Sequence, residues 1–211
     1  ESANDLSGYS VSLNSDGTRV AIGAAGNDGT ANDAGHVRIY DWSGSAWTQV
    51  GADIDGEALG DQSGVSVSLD SDGSHVAIGA IGNNGAGSHA GHVRVYTYSG
   101  SAWTQVGSDI DGESANDQSG YSVSLNSDGT RLVIGAIGND ATALNAGHVR
   151  VYEYSSGSWS QLGSDIDGEA AGDVLGRSVS ISSDGSRIAI GATGNDDGGT
   201  NIGRVRVFKE I

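Results

Sequence analysis

The sequence predicts an all-β protein, a β-propeller of four 56-residue blades with four antiparallel strands in each. Three observations carry that prediction. Gly35-His36-Val37-Arg38 recurs at Gly91-His92-Val93-Arg94 and Gly147-His148-Val149-Arg150, then as Gly203-Arg204-Val205-Arg206, each step 56 residues long. Each period holds four short runs in which apolar residues alternate with small or polar ones, and no stretch has a helical period. Asp16-Gly17 and its counterparts Asp72-Gly73, Asp128-Gly129 and Asp184-Gly185 stand where a tight hairpin needs positive φ. Four short strands in a repeat of roughly 40–60 residues is the pattern of propeller blades, whereas β-helix coils are much shorter and helical repeats need helices.

The first strand spans Tyr9 to Leu13, with Val11 and Leu13 on one face and Ser10 and Ser12 on the other. The second spans Arg19 to Ala24, where Val20 and Ile22 alternate with Ala21 and Gly23; small residues here let neighbouring blades approach. The third spans His36 to Tyr40, setting Val37 and Ile39 against His36, Arg38 and Tyr40. The fourth opens at Trp47 and runs to Val50 and a little beyond, and is expected to lie outermost. The blades are 8–63, 64–119, 120–175 and 176–211, one domain in all, and the last lacks its outer strand. The chain opens in mid-period at Glu1, as a segment of a longer protein or a processed fragment would.

Composition excludes several functions. Of 211 residues 36 are Gly and none is Pro, Cys or Met, so there is no disulfide framework, thiolate metal site or sulfur redox chemistry. A formal net charge of -17 leaves no basic surface for a nucleic-acid backbone. Apolar runs of only a few residues are too short for membrane insertion through a helix. Twelve Asn occur without one Asn-x-Ser/Thr acceptor.

Gly8-Tyr9-Ser10-Val11-Ser12-Leu13, Val20-Ala21-Ile22-Gly23-Ala24 and Gly35-His36-Val37-Arg38-Ile39-Tyr40 together resemble the FG-GAP repeat of integrin α-subunit propellers and of bacterial and algal surface proteins. The order here is Gly-Tyr at Tyr9 and Tyr121, with Val65 and Arg177 at the equivalent positions, and the last letter of GAP is Ala25, Ile81, Ile137 or Thr193. The resemblance implies an extracellular or cell-surface propeller used for adhesion or ligand binding. The family's calcium loop falls in the first hairpin, where this chain has too few acids: Asp16 alone in the first period, Asp70 and Asp72 in the second.

Up-and-down strands bring the loop between the second and third strands to the same end of the blade as the connection to the next blade. Those segments hold 19 of the 27 acidic residues and no Lys or Arg, so one face should be strongly negative. Candidate metal ligands, for calcium, are Asp53, Asp55, Glu57 and Asp61, with Asp109, Asp111, Glu113, Asp117, Asp165, Asp167, Glu169 and Asp173. Candidate ligand-binding residues are Asn27, Asp28, Asn83, Asn139, Asp140, Asn195 and Asp196. Turn capping and solubility are the competing and simpler explanation of the same residues, since duplication of one structural loop also repeats its acids. His36, His92 and His148 are one position copied, better suited to packing than to zinc; Arg38, Arg94, Arg150 and Arg206 suit pairing with acids between blades. Trp47, Trp103 and Trp159 would stack on sugars if exposed and wedge blades apart if not. No Ser/His/Asp set is unique to one position, so no catalytic residue is assigned. The expected role is a non-enzymatic module for a protein or glycan ligand. The alternatives are a lectin using Trp, or a structural subunit that binds other copies of itself through blade edges, including the open edge of the fourth blade.

Overall fold

In the computed structural model, which describes residues 2–209, strands form where the alternation places them. The first sheet contains β1 (Ser7–Leu13), β2 (Arg19–Ala24), β3 (His36–Trp42), β4 (Trp47–Gln49) and β5 (Ile54–Asp55). The second contains β6 (Ser63–Leu69), β7 (His75–Ala80), β8 (His92–Tyr98), β9 (Trp103–Gln105) and β10 (Ile110–Asp111). The third repeats the plan with β11 (Ser119–Leu125), β12 (Arg131–Ala136), β13 (His148–Ser155), β14 (Ser158–Gln161) and β15 (Ile166–Asp167). The fourth has only β16 (Leu175–Ile181), β17 (Arg187–Ala192) and β18 (Arg204–Lys209). All pairing within the sheets is antiparallel, and no helix occurs among the described residues. Glu1, the counterpart of Glu57, and the terminal Glu210 and Ile211 lie outside them.

The outer strand differs from the single run expected. It is broken into β4, which pairs with the far half of β3 at Tyr40, Asp41 and Trp42, and β5, which pairs with its start through His36↔Asp55 and Val37↔Ile54. Gly51, at φ 77°, makes the break, and its counterparts Gly107 and Gly163 do the same at φ 75° and 68°. A left-handed residue cannot continue a ladder, and glycine takes that conformation without a Cβ penalty. Asp55 and Asp111 are therefore strand residues rather than loop residues.

Successive blades meet through one joint made three times. In the first, Ala21, Val37 and Ile39 pack on Val67, Leu69, Val76 and Ile78; Val93 and Val95 then meet Leu132 and Ile134, and Val149 and Val151 meet Ile188 and Ile190. Polar atoms mark the same joints: the Ser10, Ser66 and Ser122 hydroxyls donate to the carbonyls of Gly64, Gly120 and Gly176, each at 2.7 Å. Ser12 and Ser68 accept from the amides of Leu69 and Leu125 at 2.9 and 3.0 Å. At the inner rim the amides of Ser15, Ser71 and Ser127 donate to the carbonyls of Ser71, Ser127 and Ser183. Trp103 and Trp159 lie across the outer rim, each indole N–H donating to the carbonyl of Val50 or Val106 in the preceding blade at 2.9 Å. They are wedges, while Trp47, in the first blade, is exposed and packs against Trp42 with the two rings tilted by 51°. Packing stops at both ends: Tyr9, Val11 and Leu13 of β1 and Val205 and Val207 of β18 are exposed.

Candidate functional site

The loops at one end of the blades are tied into a single surface. The amides of Gly60 and Gln62 donate to the carbonyls of Asn32 and Asp33, joining the connection between blades to the loop before β3. Buried acids lock these loops from within. Asp61 accepts from the Ala58 amide at 3.1 Å and from Asn83 Nδ2 at 3.3 Å. Asp117 accepts from Ser114 and Asn139, and Asp173 from Ala170 and Asn195. Asn27, Asn83, Asn139 and Asn195 are likewise buried, their side-chain oxygens accepting from the amides of Gly29, Gly85, Ala141 and Asp197. Asp28, Asp140 and Asp196 are exposed, and each accepts from the amide five residues on. The Asn set and the Asp61 set thus hold the loops in shape; the outward carboxylates are Asp28, Asp33, Asp55, Glu57, Asp111, Glu113, Asp140, Glu169, Asp196 and Asp197.

This face is less negative than the loop sequences alone indicate, because arginines reach it from the third strand of each blade. Arg38 grips Asp53 with two parallel bonds of 2.9 and 2.7 Å, and Arg94 grips Asp109 at 3.0 and 2.9 Å. Such forked pairs are the strong form of carboxylate recognition. The Arg38 bond, with Gln49 behind it, holds Asp53 below the usual carboxylate range, and Arg94 does so for Asp109 against the opposing effect of burial. Arg94 also pairs with Glu57 of the connecting segment, as expected for contacts between blades. The repeated spacing of 15 residues from Arg to Asp is the signal in the sequence for the forked pair.

The third copy breaks this pattern. Arg150 bonds the Asp111 carbonyl at 2.7 Å and lies 3.7 Å from Glu113, while Asp165 is held by Gln161 at 2.6 Å. His148 is buried, and neither ring nitrogen has a hydrogen-bond partner. Its Nδ1 lies 3.9 Å from Glu113 and 4.0 Å from Asp165. His36 with Asp53 and Asp55, and His92 with Glu57 and Asp109, form equivalent groups whose ligand atoms lie within 4.8 Å of one another, a spacing able to hold a metal ion. In those two an arginine hydrogen-bonds a cluster carboxylate, whereas in the third Arg150 makes only the longer 3.7 Å ion pair with Glu113. Of the predicted acids the clusters gather Asp53, Asp55, Glu57, Asp109, Glu113 and Asp165, and leave Asp61, Asp111, Asp117, Asp167, Glu169 and Asp173 outside.

Burial, and then Arg94 and Arg150, push the imidazoles of His92 and His148 below their ordinary pKa of 6.5. The unfolded chain takes up these protons first, so stability falls as the pH drops below about 6.5 and levels off below the folded pKa. His75 acts oppositely: bonded to Asp70 at 2.7 Å, its pKa is raised, and its contribution is full below 6.5 and lost as pH rises through the folded value. Urea midpoints should therefore decline from pH 7 to pH 5, and more steeply in His75→Asn. An unchanged slope in that variant would contradict the assignment.

Two equivalent clefts between blades place aromatic rings beside carboxylates: Tyr96 and Trp103 with Asp53 and Asp55, and Tyr152 and Trp159 with Asp109 and Asp111. No helix long and apolar enough to cross a membrane is present among the described residues. Over 99% of its length the chain is similar to Kuenenia stuttgartiensis hydrazine synthase, with TM-score 0.60 and 12% identity, covering 47% of that chain. It is similar also to the Pseudomonas aeruginosa periplasmic gluconolactonase PpgL, with TM-score 0.55 and 15% identity over 96% of this chain and 57% of that one. Both are β-propeller proteins, and this chain spans about half the length of each. At such identities the likeness is one of fold. No curated protein matches by sequence. Residues 108–152 and 165–208 match the FG-GAP repeat, each span running from an Asp-Ile-Asp strand through the three strands after it. These two stretches, from the end of the second sheet to the fourth, thus carry FG-GAP repeats within a 56-residue register that all four sheets share.

Proposed function

We propose that this propeller is a non-enzymatic, extracellular binding module whose carboxylate-bearing loop face takes a cationic protein ligand. The observation that carries this reading is the contrast within the loops: buried Asp61, Asp117 and Asp173 fix the backbone, while Asp55, Glu57, Asp111 and Glu113 remain at the surface. A rigid array of like charge raises association rates and selects partners by complementarity. Affinity for a decalysine peptide, measured by calorimetry, should fall at least about tenfold when salt rises from about 20 to 200 mM. Glu57→Lys with Glu113→Lys should lower it further, and binding indifferent to both changes would sink the reading. A glycan ligand rests instead on the two aromatic clefts, where a sugar ring would stack on Trp103 or Trp159 and bond the adjacent carboxylates. A glycan array would separate the two ligands.

A divalent cation would fit the third cluster, where buried His148 has no hydrogen-bond partner for either nitrogen and its Nδ1 faces Glu113 and Asp165. One imidazole with two carboxylates suits a borderline ion such as zinc better than calcium, which takes six to eight oxygens. Zinc at about 100 times its dissociation constant should add about 2.7 kcal/mol of stability. His148→Ala should erase that gain, and calcium should give much less. Stabilisation by calcium equal to that by zinc would restore calcium as the ion.

A further inference from the structure

The joint between blades is built three times, and its two halves stand open at opposite ends of the molecule. At the tail, Val205 and Val207 are 70% and 68% exposed, whereas their counterparts in the first blade, Val37 and Ile39, are 0% and 1% exposed against the second. At the head, Val11 and Leu13 are 65% and 59% exposed, whereas Val67 and Leu69 are 9% and 7%. Contiguous apolar patches of this kind mark interaction surfaces.

The polar parts of the joint are present in the same register. Ser66 and Ser122 donate to Gly120 and Gly176, so Ser178 stands ready to donate to the carbonyl of Gly8 in another copy. Close approach is also provided for. A Cβ on Gly79 would collide with the Gly120 carbonyl, yet one on Gly191 would meet no neighbouring blade, only the chain's own Ser178 hydroxyl. Glycine is kept at 191 although nothing within this blade's own backbone requires it.

We propose that this chain associates head to tail with further copies of itself, the face of β17 and β18 in one copy packing on β1 and β2 of the next as a fourth instance of the joint. The contact is heterologous, using different surfaces on the two partners, so it either closes a ring or grows a filament. It runs through the faces of the sheets, not through the free edge of β18. A second copy fits better than a foreign partner because each end carries the complement that the other end displays, residue for residue.

Sedimentation velocity on the 211-residue chain should show species larger than monomer that increase with concentration. Val11→Asp, which spoils the head, and Gly191→Ala, which spoils the tail, should each sediment as monomers with an unchanged far-UV spectrum. Mixing the two should regenerate a 1:1 complex, since the intact tail of the first meets the intact head of the second. A ring or a filament from the wild-type chain supports the proposal equally. Monomer alone up to about 1 mM, persistent association of either variant, or failure of the mixture to pair would overturn it. Should Val11→Asp fail to fold, Val11→Ser serves as the head variant.

Discussion

Gly79→Ala destabilises the protein by about 3 kcal/mol or more, while Gly191→Ala at the same repeat position costs less than about 1 kcal/mol in the dilute monomer. At Gly79 the new methyl would enter the space of the Gly120 carbonyl oxygen, and that backbone belongs to the next blade. Relief requires the two sheets to separate, which loosens the packing of Val93 and Val95 on Leu132 and Ile134 along with it. Overpacking against main chain lies at the upper end of the usual penalty of about 1–3 kcal/mol because no side chain can rotate away. For a chain of this length the melting temperature should fall by roughly 6–12 °C. At Gly191 the obstacle is the Ser178 hydroxyl, which can turn to another rotamer. Equal losses in the two variants would show that the strain arises within a blade and not between blades.

Asp117→Ala should cost about 3 kcal/mol without weakening the binding of a divalent cation. The carboxylate is 2% exposed and accepts from the Ser114 amide at 3.0 Å and Asn139 Nδ2 at 3.2 Å. Truncation strands both donors, one of them on a buried Asn, and each orphaned buried group costs about 1–3 kcal/mol. Hydrogen exchange should rise in 113–118 and 139–146, the two segments it joins, more than in β12 or β13. Asp117→Asn, which keeps one acceptor oxygen, should recover part of the loss. A large fall in cation affinity with little change in stability would instead make Asp117 a ligand.

The first three strands of each blade were legible because each alternates over five or more residues and recurs at a fixed spacing. β2 has the same bounds in sequence and structure, Arg19–Ala24. β5 was hidden: a two-residue strand shows no period, and Ile54-Asp55 sits inside an acidic run that reads as a loop. The charged face was legible in outline, but not which of its carboxylates are paired. Counting acids by segment leaves out long side chains that arrive from elsewhere, and Arg38 and Arg94 come from strands. Exposure was the other missing quantity. Asp61 and Glu57 are four positions apart and equally acidic, yet one is buried under its own turn and the other faces outward. His148 differs from His92 through the position of Arg150, a three-dimensional distinction that the identical Gly-His-Val-Arg strings do not record.

The amides of Ser15, Ser71 and Ser127, each bonded to the carbonyl 56 residues ahead, link every blade to its immediate successor only. Cohesion is therefore a nearest-neighbour property, as in other stacked repeats. Duplicating one 56-residue period would insert a blade whose two faces already match those on either side, without a compensating change anywhere else. Length in such a molecule is cheap to alter in evolution, by whole units, and a laboratory chain with one period added or removed should fold with the same joints.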